Sequence, residues 1–393
     1  MANTTQSDYD RFPKHMHGGP VMAAHIAKYA ARGTYDLLPN EILWRDLQPF
    51  LLTKGYRLRP RYEPGWSAPW IGTDVSPNYF EESRHSVLPN VIDARRVSDD
   101  ALVAIKWIPD AEHTRDEIDI MRFLTSPEML QDPDNHCVPL LTTFTNPDMP
   151  DGVFTVTPWL ADLHGVPLEN VNDVVDMMLQ TLSGLAFLHR HNVAHRDCTG
   201  WNIMQDVSSM FFDRRNHPMN PAFSEDMQEL LPCRSRAESR VRYYFIDFGI
   251  STRFSGPGPH LVTGEIGRDP SAPELSDVIP YDPFKLDVYL LGNYFLNSVL
   301  AKYINLEFLR PLLLEMTRPN PLDRPTAAEA LRRLHAVARE PSTISFGWYL
   351  IQRNYTYPQR VIFGAACLAR QCAMHVRSCI RGSNALSFGR RLP

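Results

Sequence analysis

The clearest periodic pattern in the chain lies near its middle, where apolar residues recur at helical spacing over Val171–Arg190. This pattern predicts a long amphipathic helix that leads into a polar loop. A shorter helix is predicted over Glu41–Phe50, capped by Asn40, and a third helical stretch covers residues 113–124. The expected apolar face of the short helix consists of Ile42, Leu43, Leu47 and Leu51.

Strand patterns precede the long helix. Residues 91–97 and 101–108 flank Ser-Asp-Asp at 98–100, a composition typical of a hairpin turn, and two more strands are predicted over 137–144 and 152–157. Strands in the first part of the chain followed by helices predict the α+β class.

Two polar motifs follow these elements. The first, H-R-D-C-T-G-W-N, occupies residues 195–202, and the second, I-D-F-G, occupies residues 246–249. Phosphoryl transfer from a nucleotide needs one carboxylate that orients the attacking hydroxyl, and an amide plus a second carboxylate that hold magnesium. Asp197, Asn202 and Asp247 supply these groups in that order. The two motifs together therefore indicate phosphoryl transfer.

Further charged residues stand where the same chemistry requires them. Lys106 ends the apolar run V-A-I-K, and Glu117 follows on the next helical stretch, where it can pair with that lysine. Downstream, Glu274 ends the triplet A-P-E. We expect Asp287, on a predicted helix, to brace the catalytic loop, and Arg324 to pair with Glu274.

In these motifs and their order, residues 76–340 resemble the eukaryotic protein-kinase superfamily. The resemblance implies an α+β bilobal fold, with a small antiparallel-sheet N-lobe and a mainly helical C-lobe. It also implies ATP and Mg2+ as cofactors and a protein hydroxyl, Ser or Thr rather than Tyr, as the phosphate acceptor.

The resemblance assigns roles residue by residue. The implied catalytic group is Asp197, Lys106, Glu117 and Arg196. The implied nucleotide-binding group is Lys106, Ala104, Thr157, Trp159 and Met204. Asn202 and Asp247 would hold Mg2+. The implied structural group is His195, Phe248, Gly249, Glu274, Asp287 and Arg324, and Thr263 is the candidate phosphosite.

A second, narrower resemblance precedes the first. The leader F-L-L-T-K-G-Y-R-L-R-P-R-Y-E-P-G-W at residues 50–66 is similar to that of a group of kinase-like proteins from mushroom-forming fungi. The segment N-V-I-D-A-R-R-V-S-D at residues 90–99 shares this similarity. It adds nothing about chemistry.

The kinase pattern lacks its glycine-rich loop. No glycine lies between Gly72 and Gly152, and residues 84–90 read R-H-S-V-L-P-N where that loop should cover the phosphates. Glycines allow backbone amides to approach phosphates without an intervening Cβ. We therefore expect weak ATP binding. In the connector, Pro158 offers a carbonyl but no N–H to an adenine ring.

Two positions near the catalytic aspartate also depart from the pattern. Thr199 stands where Ser/Thr kinases carry a lysine, and Gly267 stands where they carry a threonine. The substrate-facing network has therefore been either rebuilt or abandoned. Arg196 either binds a phosphate on Thr263 or pairs with an acid such as Glu265, and the sequence leaves both alternatives open.

Composition limits which binding partners, metal sites and cellular compartments are compatible with this chemistry. The formal net charge of −5 over 393 residues gives no general attraction to nucleic acid. The six cysteines show no C-x-x-C spacing, which argues against a zinc site and favours reduced thiols. The first thirty residues lack an apolar signal region, and no apolar run is long enough to cross a membrane. We expect an intracellular monomer, cytoplasmic or nuclear.

The predicted organisation has four parts. They are an N-terminal extension over 1–75, an N-lobe over 76–158, a C-lobe over 159–340 with a polar insertion at 206–242, and an arginine-rich tail over 341–393. Residues 1–39 are expected to be flexible, with His15 and His17 in a solvated tail rather than a metal site. Residues 51–75 are expected to pack against the small lobe.

The insertion and the tail each allow two interpretations. The insertion is expected to be a surface loop, although its arginines could dock an acidic partner; they are Arg214, Arg215, Arg234, Arg236, Arg240 and Arg242. Along the tail an apolar stripe lies opposite arginines, and it either packs on its own domain, which we expect, or meets an anionic membrane. The stripe consists of Val361, Ala365, Leu368, Cys372, Val376 and Cys379.

Two function hypotheses remain. The first is an active, slow protein kinase, because Lys106, Glu117, Asp197, Asn202 and Asp247 are all present. The second is a pseudokinase scaffold, because the glycine-rich loop is absent. Small-molecule phosphotransferases share H-x-D-x-x-x-x-N, but they lack counterparts of Glu274, Asp287 and Arg324, so this third hypothesis is disfavoured.

Overall fold

The hairpin expected around residues 98–100 forms as predicted. The computed structural model describes residues 12–86, 88–110, 115–211, 216–256, 258–339, 348–366 and 369. Asp100 adopts φ +59° in the turn, a left-handed conformation that Asp tolerates better than most residues. The two strands on either side are Val91–Arg96 and Leu102–Ile108, which confirms both predictions.

The helices are α1 (Gly19–Ala30), α2 (Pro39–Thr53), α3 (Arg115–Leu124), α4 (Pro127–Gln131), α5 (Val171–Arg190), α6 (Arg236–Ser239), α7 (Pro283–Tyr294), α8 (Arg310–Met316), α9 (Ala327–Arg339) and α10 (residues 357–366). A π-helical turn over Phe295–Leu300 continues α7. Short 3-10 helices cover Lys14–Met16, Pro60–Tyr62, Pro77–Tyr79, Glu81–Ser83, Gly200–Asn202, Ser208–Met210, Ile304–Leu309 and Pro321–Asp323.

The strands are β1 (Tyr56–Arg57), β2 (Val91–Arg96), β3 (Leu102–Ile108), β4 (Thr142–Asn146), β5 (Met149–Pro158), β6 (Ala161–Asp162), β7 (Val193–Ala194), β8 (Ile203–Asp206), β9 (Asn216–His217), β10 (Asn220–Ser224), β11 (Arg242–Phe245), β12 (Thr252–Arg253), β13 (Val262–Gly264) and β14 (Ser276–Tyr281). This mixture of helices and an antiparallel sheet is of the α+β kind.

The chain divides into two units. The first contains the described residues up to Arg122 together with Val138–Val166 and Asp206–Val241. The second contains Phe123–Cys137, Pro167–Gln205 and the described residues from Arg242 onward. The insertion at 206–241 therefore belongs with the first unit, although it follows the catalytic-loop motif in sequence.

The first unit is built on a five-stranded antiparallel sheet with the order β1-β2-β3-β5-β4. Alternate side chains on its central strands point to opposite faces, as a pleated sheet requires. One face packs against α2 and the leader in a single apolar cluster. Its buried members are Trp44, Leu47, Leu51, Tyr56, Leu58, Tyr62, Ile92, Ala94, Val103, Ile105, Phe154 and Val156.

The expected flexible start is wrong for the part of it that the structure describes. Helix α1 forms over Gly19–Ala30, and Ile26 lies in a second buried cluster with Phe12 and Trp70. His17 is not solvated, because its Nδ1 lies 2.8 Å from Oδ1 of Asp74. This segment is therefore a packed part of the first unit. Residues 1–11 lie outside the described chain.

Helix α2 begins one residue before its predicted cap. Leu38 precedes the helix with its N–H donated to Glu41 Oε2 (2.9 Å), and Pro39 occupies the first turn, where its missing N–H costs nothing. Asn40 is therefore inside the helix. The predicted face is also wrong in part, because Ile42 is exposed whereas Glu41 and Trp44 are buried.

The second unit is organised around α5, which runs over Val171–Arg190 as predicted. Asn170 caps it, accepting a hydrogen bond at 3.0 Å from the N–H of Asp173, and helix α9 packs against its side. Strand β8 lies beside β11, and the antiparallel pairs β7–β12 and β13–β14 complete the unit's strands.

Two other expectations need correction. The strand predicted over 137–144 begins only at Thr142; upstream, Cys137 forms an isolated bridge with Phe245. The insertion is not an unstructured loop, because it contains the β9–β10 hairpin and the short helix α6. For the predicted helix over 113–124, His113 lies outside the described residues, and α3 is described from Arg115.

The apolar stripe expected along the arginine-rich tail does not pack on its own domain where it is described. Val361 is 54% exposed and Ala365 is exposed as well, so that expectation is wrong for both residues. The stripe's remaining members, Leu368, Cys372, Val376 and Cys379, lie outside the described residues.

Candidate functional site

Lys106 and Glu117 form an ion pair in the first unit. Nζ of Lys106 lies 2.6 Å from Oε1 of Glu117, whose side chain is buried. Lys106 and Ala104 lie on the same face of β3, opposite the one that carries Val103 and Ile105 into the apolar cluster. A lysine held by a buried carboxylate on the open face of a central strand can present its charge to a phosphate.

Thr157 and Trp159 lie at the end of β5, and Thr157 pairs with Ala104 across the sheet. Pro158 has no N–H, and the N–H of Trp159 donates to the carbonyl of Leu102 (3.2 Å). No described partner engages the N–H of Leu160. An adenine edge requires one donor and one acceptor, and the N–H of Leu160 and the carbonyl of Pro158 are the candidate groups in this stretch. Leu160 could not be predicted from the sequence, because backbone donors leave no sequence signal.

The segment expected at the place of a glycine-rich loop is held by hydrogen bonds from the leader and from helix α2. Ser86 donates its N–H to the hydroxyl of Tyr62 (3.2 Å), and Trp44 donates Nε1–H to the carbonyl of Pro89 (3.2 Å). Arg59 donates to the carbonyl of Arg84 (2.6 Å). A segment held in this way has fewer free amides for a phosphate than a glycine-rich loop has.

The two leader arginines are themselves held by buried carboxylates. Arg61 binds both carboxylate oxygens of Glu41, at 2.5 and 2.8 Å. Burial opposes the charge on Glu41, but the hydrogen bonds from Arg61 and from the backbone of Leu38 outweigh it and lower the pKa of Glu41 below its ordinary value. Arg59 contacts Asp93 and Glu81, each at 2.8 Å. The leader motif is therefore a structural clamp.

In the second unit, Asp287 braces the loop that begins at His195, as predicted from the sequence. Its side chain is fully buried and accepts the backbone N–H groups of His195 (2.9 Å) and Arg196 (2.6 Å). His189 Nε2 lies 3.0 Å from the same carboxylate. Burial, reinforced by Asp287, raises the pKa of the Cys198 thiol well above its ordinary value, so this cysteine stays a thiol.

The carboxylate of Asp197 is fixed by two donors. Asn202 donates Nδ2–H to Oδ2 of Asp197 at 2.7 Å and to the backbone carbonyl of Asp197 at 3.0 Å. The backbone N–H of Arg268 donates to Oδ1 at 3.0 Å. Each carboxylate oxygen has a second lone pair, so the group can still accept the proton of a hydroxyl.

This arrangement bears on the departures at Thr199 and Gly267. A Cβ at Gly267 would lie 3.7 Å from Oδ1 of Asp197, so this stretch of backbone borders the carboxylate. Its neighbour Arg268 supplies a main-chain donor there. Thr199 is buried, and its hydroxyl has no hydrogen-bond partner. A backbone amide beside Gly267 therefore takes part in the hydrogen bonding of Asp197.

Asp247, Phe248 and Gly249 follow β11. The N–H of Ile246 donates to the carbonyl of Asn202 (3.0 Å), and His195 Nε2 lies 3.0 Å from the carbonyl of Ile246. Phe248 is fully buried against His195, with ring centroids 5.1 Å apart, whereas Asp247 and Gly249 are exposed. Met204 is half-buried on β8.

Two candidate residues adopt left-handed backbone conformations. Asp247 has φ +62° and Arg196 has φ +67°. This conformation is uncommon outside glycine and is costly for a long side chain such as arginine. At Arg196 the hydrogen bonds to Asp287, Ile250 and Thr263 hold this strained backbone, a property typical of functional sites.

Arg196 reaches the segment that carries Thr263. Its Nη2 donates to the backbone carbonyl of Thr263 (2.8 Å), and its Nη1 donates to the carbonyl of Ile250 (3.3 Å). Its Nε is buried without a hydrogen-bond partner. Among the described residues Arg196 forms no ion pair with Glu265 or another acid, and its guanidinium donates instead to backbone carbonyls and to the hydroxyl of Thr252.

Glu274 and Arg324 form a bidentate buried pair, as expected from their positions. The two guanidinium nitrogens lie 2.5 and 2.8 Å from the two carboxylate oxygens. Arg324 also stacks on the ring of Tyr289 at 4.6 Å. The pair fixes the A-P-E triplet to the helical part of the second unit.

The insertion lies against the connector within the first unit. Trp159 donates Nε1–H to the carbonyl of Pro218 (3.0 Å), and Arg95 pairs with Glu225 (3.1 Å). Arg236 is buried and donates to the carbonyl of Val166. Arg236 is thus used within the protein rather than offered to an acidic partner. Arg214 and Arg215 lie outside the described residues.

The described chain contains no cluster of three His, Cys, Asp or Glu side chains that could hold a metal ion. Asn202 and Asp247 would together offer Mg2+ an amide oxygen and a carboxylate, which are the hard oxygen ligands it prefers. Among the described helices, none is both long and apolar enough to cross a membrane.

Two comparisons with known proteins gave no match. No protein-family model matches the chain, and no curated protein matches it significantly. Function is therefore inferred from the geometry described above and from the motifs in the sequence.

Proposed function

We propose that this chain is an ATP- and magnesium-dependent protein kinase that transfers the γ-phosphate to Ser or Thr hydroxyls. The α+β mixture, with a five-stranded antiparallel sheet in the first unit and a mainly helical second unit, supports a bilobal kinase-like fold. The observation that carries the proposal is the oriented carboxylate of Asp197, 2.7 Å from the amide of Asn202 on a loop braced by Asp287.

Each group has a role in this proposal. Asp197 orients the attacking hydroxyl and accepts its proton, and Lys106, held by Glu117, contacts the α- and β-phosphates. Asn202 and Asp247 would hold Mg2+, which neutralises charge on the phosphates when it is bound. The N–H of Leu160 and the carbonyl of Pro158 would receive the adenine edge.

The second candidate is a pseudokinase scaffold. It is favoured by one observation, the hydrogen bonds by which the leader and helix α2 hold Arg84, Ser86 and Pro89. A fixed loop without glycine weakens the contact with phosphates. It does not remove the carboxylate chemistry, so we rank the kinase first.

Intact-mass analysis of the purified chain with ATP and Mg2+ tests the proposal, with Asp197→Ala expressed identically as its control. Added phosphate in the wild type alone supports the kinase, and peptide mapping then examines Thr263. If neither protein gains mass, a magnesium-dependent rise in melting temperature with ATP would favour the scaffold. No mass gain and no thermal shift would contradict the kinase and leave only a scaffold that does not bind the nucleotide.

A further inference from the structure

Strands β2 and β3 share the face of the sheet to which the proposed function assigns ATP. Directly paired residues of an antiparallel sheet point to the same side, and β2 pairs Asp93 with Ala104 and Val91 with Lys106. Asp93 therefore lies on the same face as Ala104 and Lys106. We call this the nucleotide face, and its members on these two strands are Val91, Asp93, Arg95, Ala104 and Lys106.

The nucleotide face is covered at Asp93. This residue is only 2% exposed, and its carboxylate lies 2.8 Å from Nε of Arg59, which also contacts Glu81 at 2.8 Å. Burial opposes the charge on Arg59, but the two carboxylates outweigh it and raise the pKa of Arg59 above its ordinary value. The guanidinium therefore stays charged. An adenine ring needs a mainly apolar surface, so it cannot lie where this ion pair lies.

The tip of the β9–β10 hairpin, residues 217–220, packs against these charged side chains. Sδ of Met219 lies 3.6 Å from Nη2 of Arg59, and Nε2 of His217 lies 3.4 Å from Oε1 of Glu81. His217 is fully buried there. Its Nδ1 accepts the N–H of Met219 (3.2 Å), which fixes the shape of the turn. The insertion therefore closes over the part of the leader that holds Asp93.

The same hairpin contacts the connector. Trp159 donates Nε1–H to the carbonyl of Pro218 in the tip (3.0 Å), and Glu225, directly after β10, lies 3.1 Å from Nε of Arg95 on the nucleotide face. The hairpin thus contacts the connector on one side and strand β2 on the other. An adenine that bonds to the connector and lies on the nucleotide face would need the space between these two contacts.

We propose that the β9–β10 hairpin is an autoinhibitory cover of the nucleotide face, and that ATP binds only when the tip leaves this face. The inference rests on the proposed function, because it concerns the regulation of the same site. The contacts allow release of the tip alone. Hydrogen bonds and charge contacts hold the tip, and local opening costs little where few apolar contacts break. Buried apolar side chains hold the base of the insertion: Met210, Phe211, Met227 and Leu231.

Titration calorimetry with ATP and Mg2+ tests this inference on the full chain. His217→Asp with Glu225→Arg places like charges against Glu81 and Arg95, and should release the hairpin. The affinity of the wild type is reduced by the fraction of molecules whose hairpin is closed, so we expect the double variant to bind ATP about tenfold more tightly. Glu63→Arg, at an exposed leader residue, is the matched control for charge reversal and should leave the affinity unchanged.

Hydrogen exchange measures the release of the hairpin directly. The amides of residues 216–224 should exchange faster in the double variant than in the wild type. They should also exchange faster in the wild type when ATP and Mg2+ are added. Deletion of residues 217–220 removes the tip by a second route if the double variant folds poorly, and circular dichroism monitors the fold of both.

The outcomes separate this inference from the proposed function. Equal, measurable ATP affinity in the wild type and in a variant whose hairpin is released would overturn the cover and leave the kinase standing. Unchanged or slower exchange of the hairpin in the ATP-bound wild type would do the same, because ATP would then bind with the hairpin in place. No ATP binding by any of these proteins, although exchange shows the tip released, would overturn the cover together with the proposed nucleotide site.

Discussion

The backbone N–H of Arg268 donates a hydrogen bond to Oδ1 of Asp197 over 3.0 Å. The side chain of Asn202 holds the other oxygen at 2.7 Å, so both oxygens of this carboxylate have a fixed direction. A threonine hydroxyl and a lysine, the groups that the kinase resemblance leads one to expect, are not needed for this orientation. The main-chain amide of Arg268 positions Asp197 together with Asn202.

Asp197→Asn should lower phosphate transfer by about 10²- to 10⁴-fold, because the amide cannot accept the proton of the attacking hydroxyl. Its melting temperature should fall only modestly, since the amide oxygen keeps one of the two bonds from Arg268 and Asn202, and the NH2 group cannot accept the other. Asp148→Asn, in an exposed turn, is the control and should keep full activity. Equal rates for the two variants would remove Asp197 from the chemistry.

Lys106→Met should reduce kcat/KM for ATP about a hundredfold, because the lysine would contact the phosphates in the transition state. Glu117→Gln should have a smaller effect, about tenfold, since the amide can still bond to Lys106 without its charge. Steady-state kinetics at varied ATP measure both. Glu128→Gln, on the exposed side of α4, should change neither constant. A full-rate Lys106→Met would contradict the role assigned to the ion pair.

Hydrogen exchange should show that residues 84–90 behave as a fixed segment. The amide of Ser86 is already bonded to Tyr62, so we expect slow exchange there and no further protection on addition of ATP and Mg2+. Tyr62→Phe should speed exchange at Ser86 selectively. Strong ATP-dependent protection of this segment would mean that it covers the phosphates despite its lack of glycine.

Stability should fall with acid through His136. Burial, against a hydrogen bond to the carbonyl of Tyr243, lowers the pKa of His136 to about 4, whereas an unfolded histidine titrates near its ordinary value. Above that ordinary value both states are neutral and stability is unaffected. As pH falls from about 6.5 toward 4, only the unfolded state takes up the proton, which costs up to about 3 kcal/mol of folding free energy.

Urea unfolding at several pH values measures this dependence. His136→Gln should flatten the curve between pH 6.5 and 4, whereas His15→Gln, an exposed histidine, should leave the slope as it is. An unchanged slope in the His136 variant would mean that other groups cause the acid sensitivity.

Glu274→Gln should lower the free energy of unfolding by about 3–5 kcal/mol, because Arg324 would remain buried without its counter-charge. Glu315→Gln breaks a surface pair with Arg333, where water screens the charges, so its effect should be small. Urea denaturation followed by tryptophan fluorescence compares the two. A similar small loss in both variants would mean that the A-P-E pair adds little to stability.

The sequence predicted the elements that have a strong local cause. In helix α5 apolar residues recur at helical spacing over a long stretch, and Asn170 caps its start. In the β2–β3 hairpin apolar and polar residues alternate on either side of a polar turn. The residue bounds of both elements were therefore predicted closely. The pairs Lys106–Glu117 and Glu274–Arg324 were expected from motif order. Their contacts follow because opposite charges that the fold brings together are stabilised by pairing.

The sequence did not predict what depends on tertiary contact or on the backbone. Helix α1 has no side-chain cap and buries only Ile26, so the helical spacing of apolar residues in its sequence is weak. The amide of Arg268 and the N–H of Leu160 act through the main chain, which any residue could supply. The face of α2 was misjudged because Glu41 is buried by its pairing with Arg61, a partner outside the helix.

The apolar packing of α2 and the leader against the sheet also limits which evolutionary rearrangements this chain can tolerate. Half of the apolar cluster comes from residues 44–62 and half from β2, β3 and β5, so neither half has a core without the other. A gene rearrangement that joined the sheet to a different leader would leave Ile92, Ile105 and Phe154 uncovered. A rearrangement that keeps this core must therefore move the two segments together.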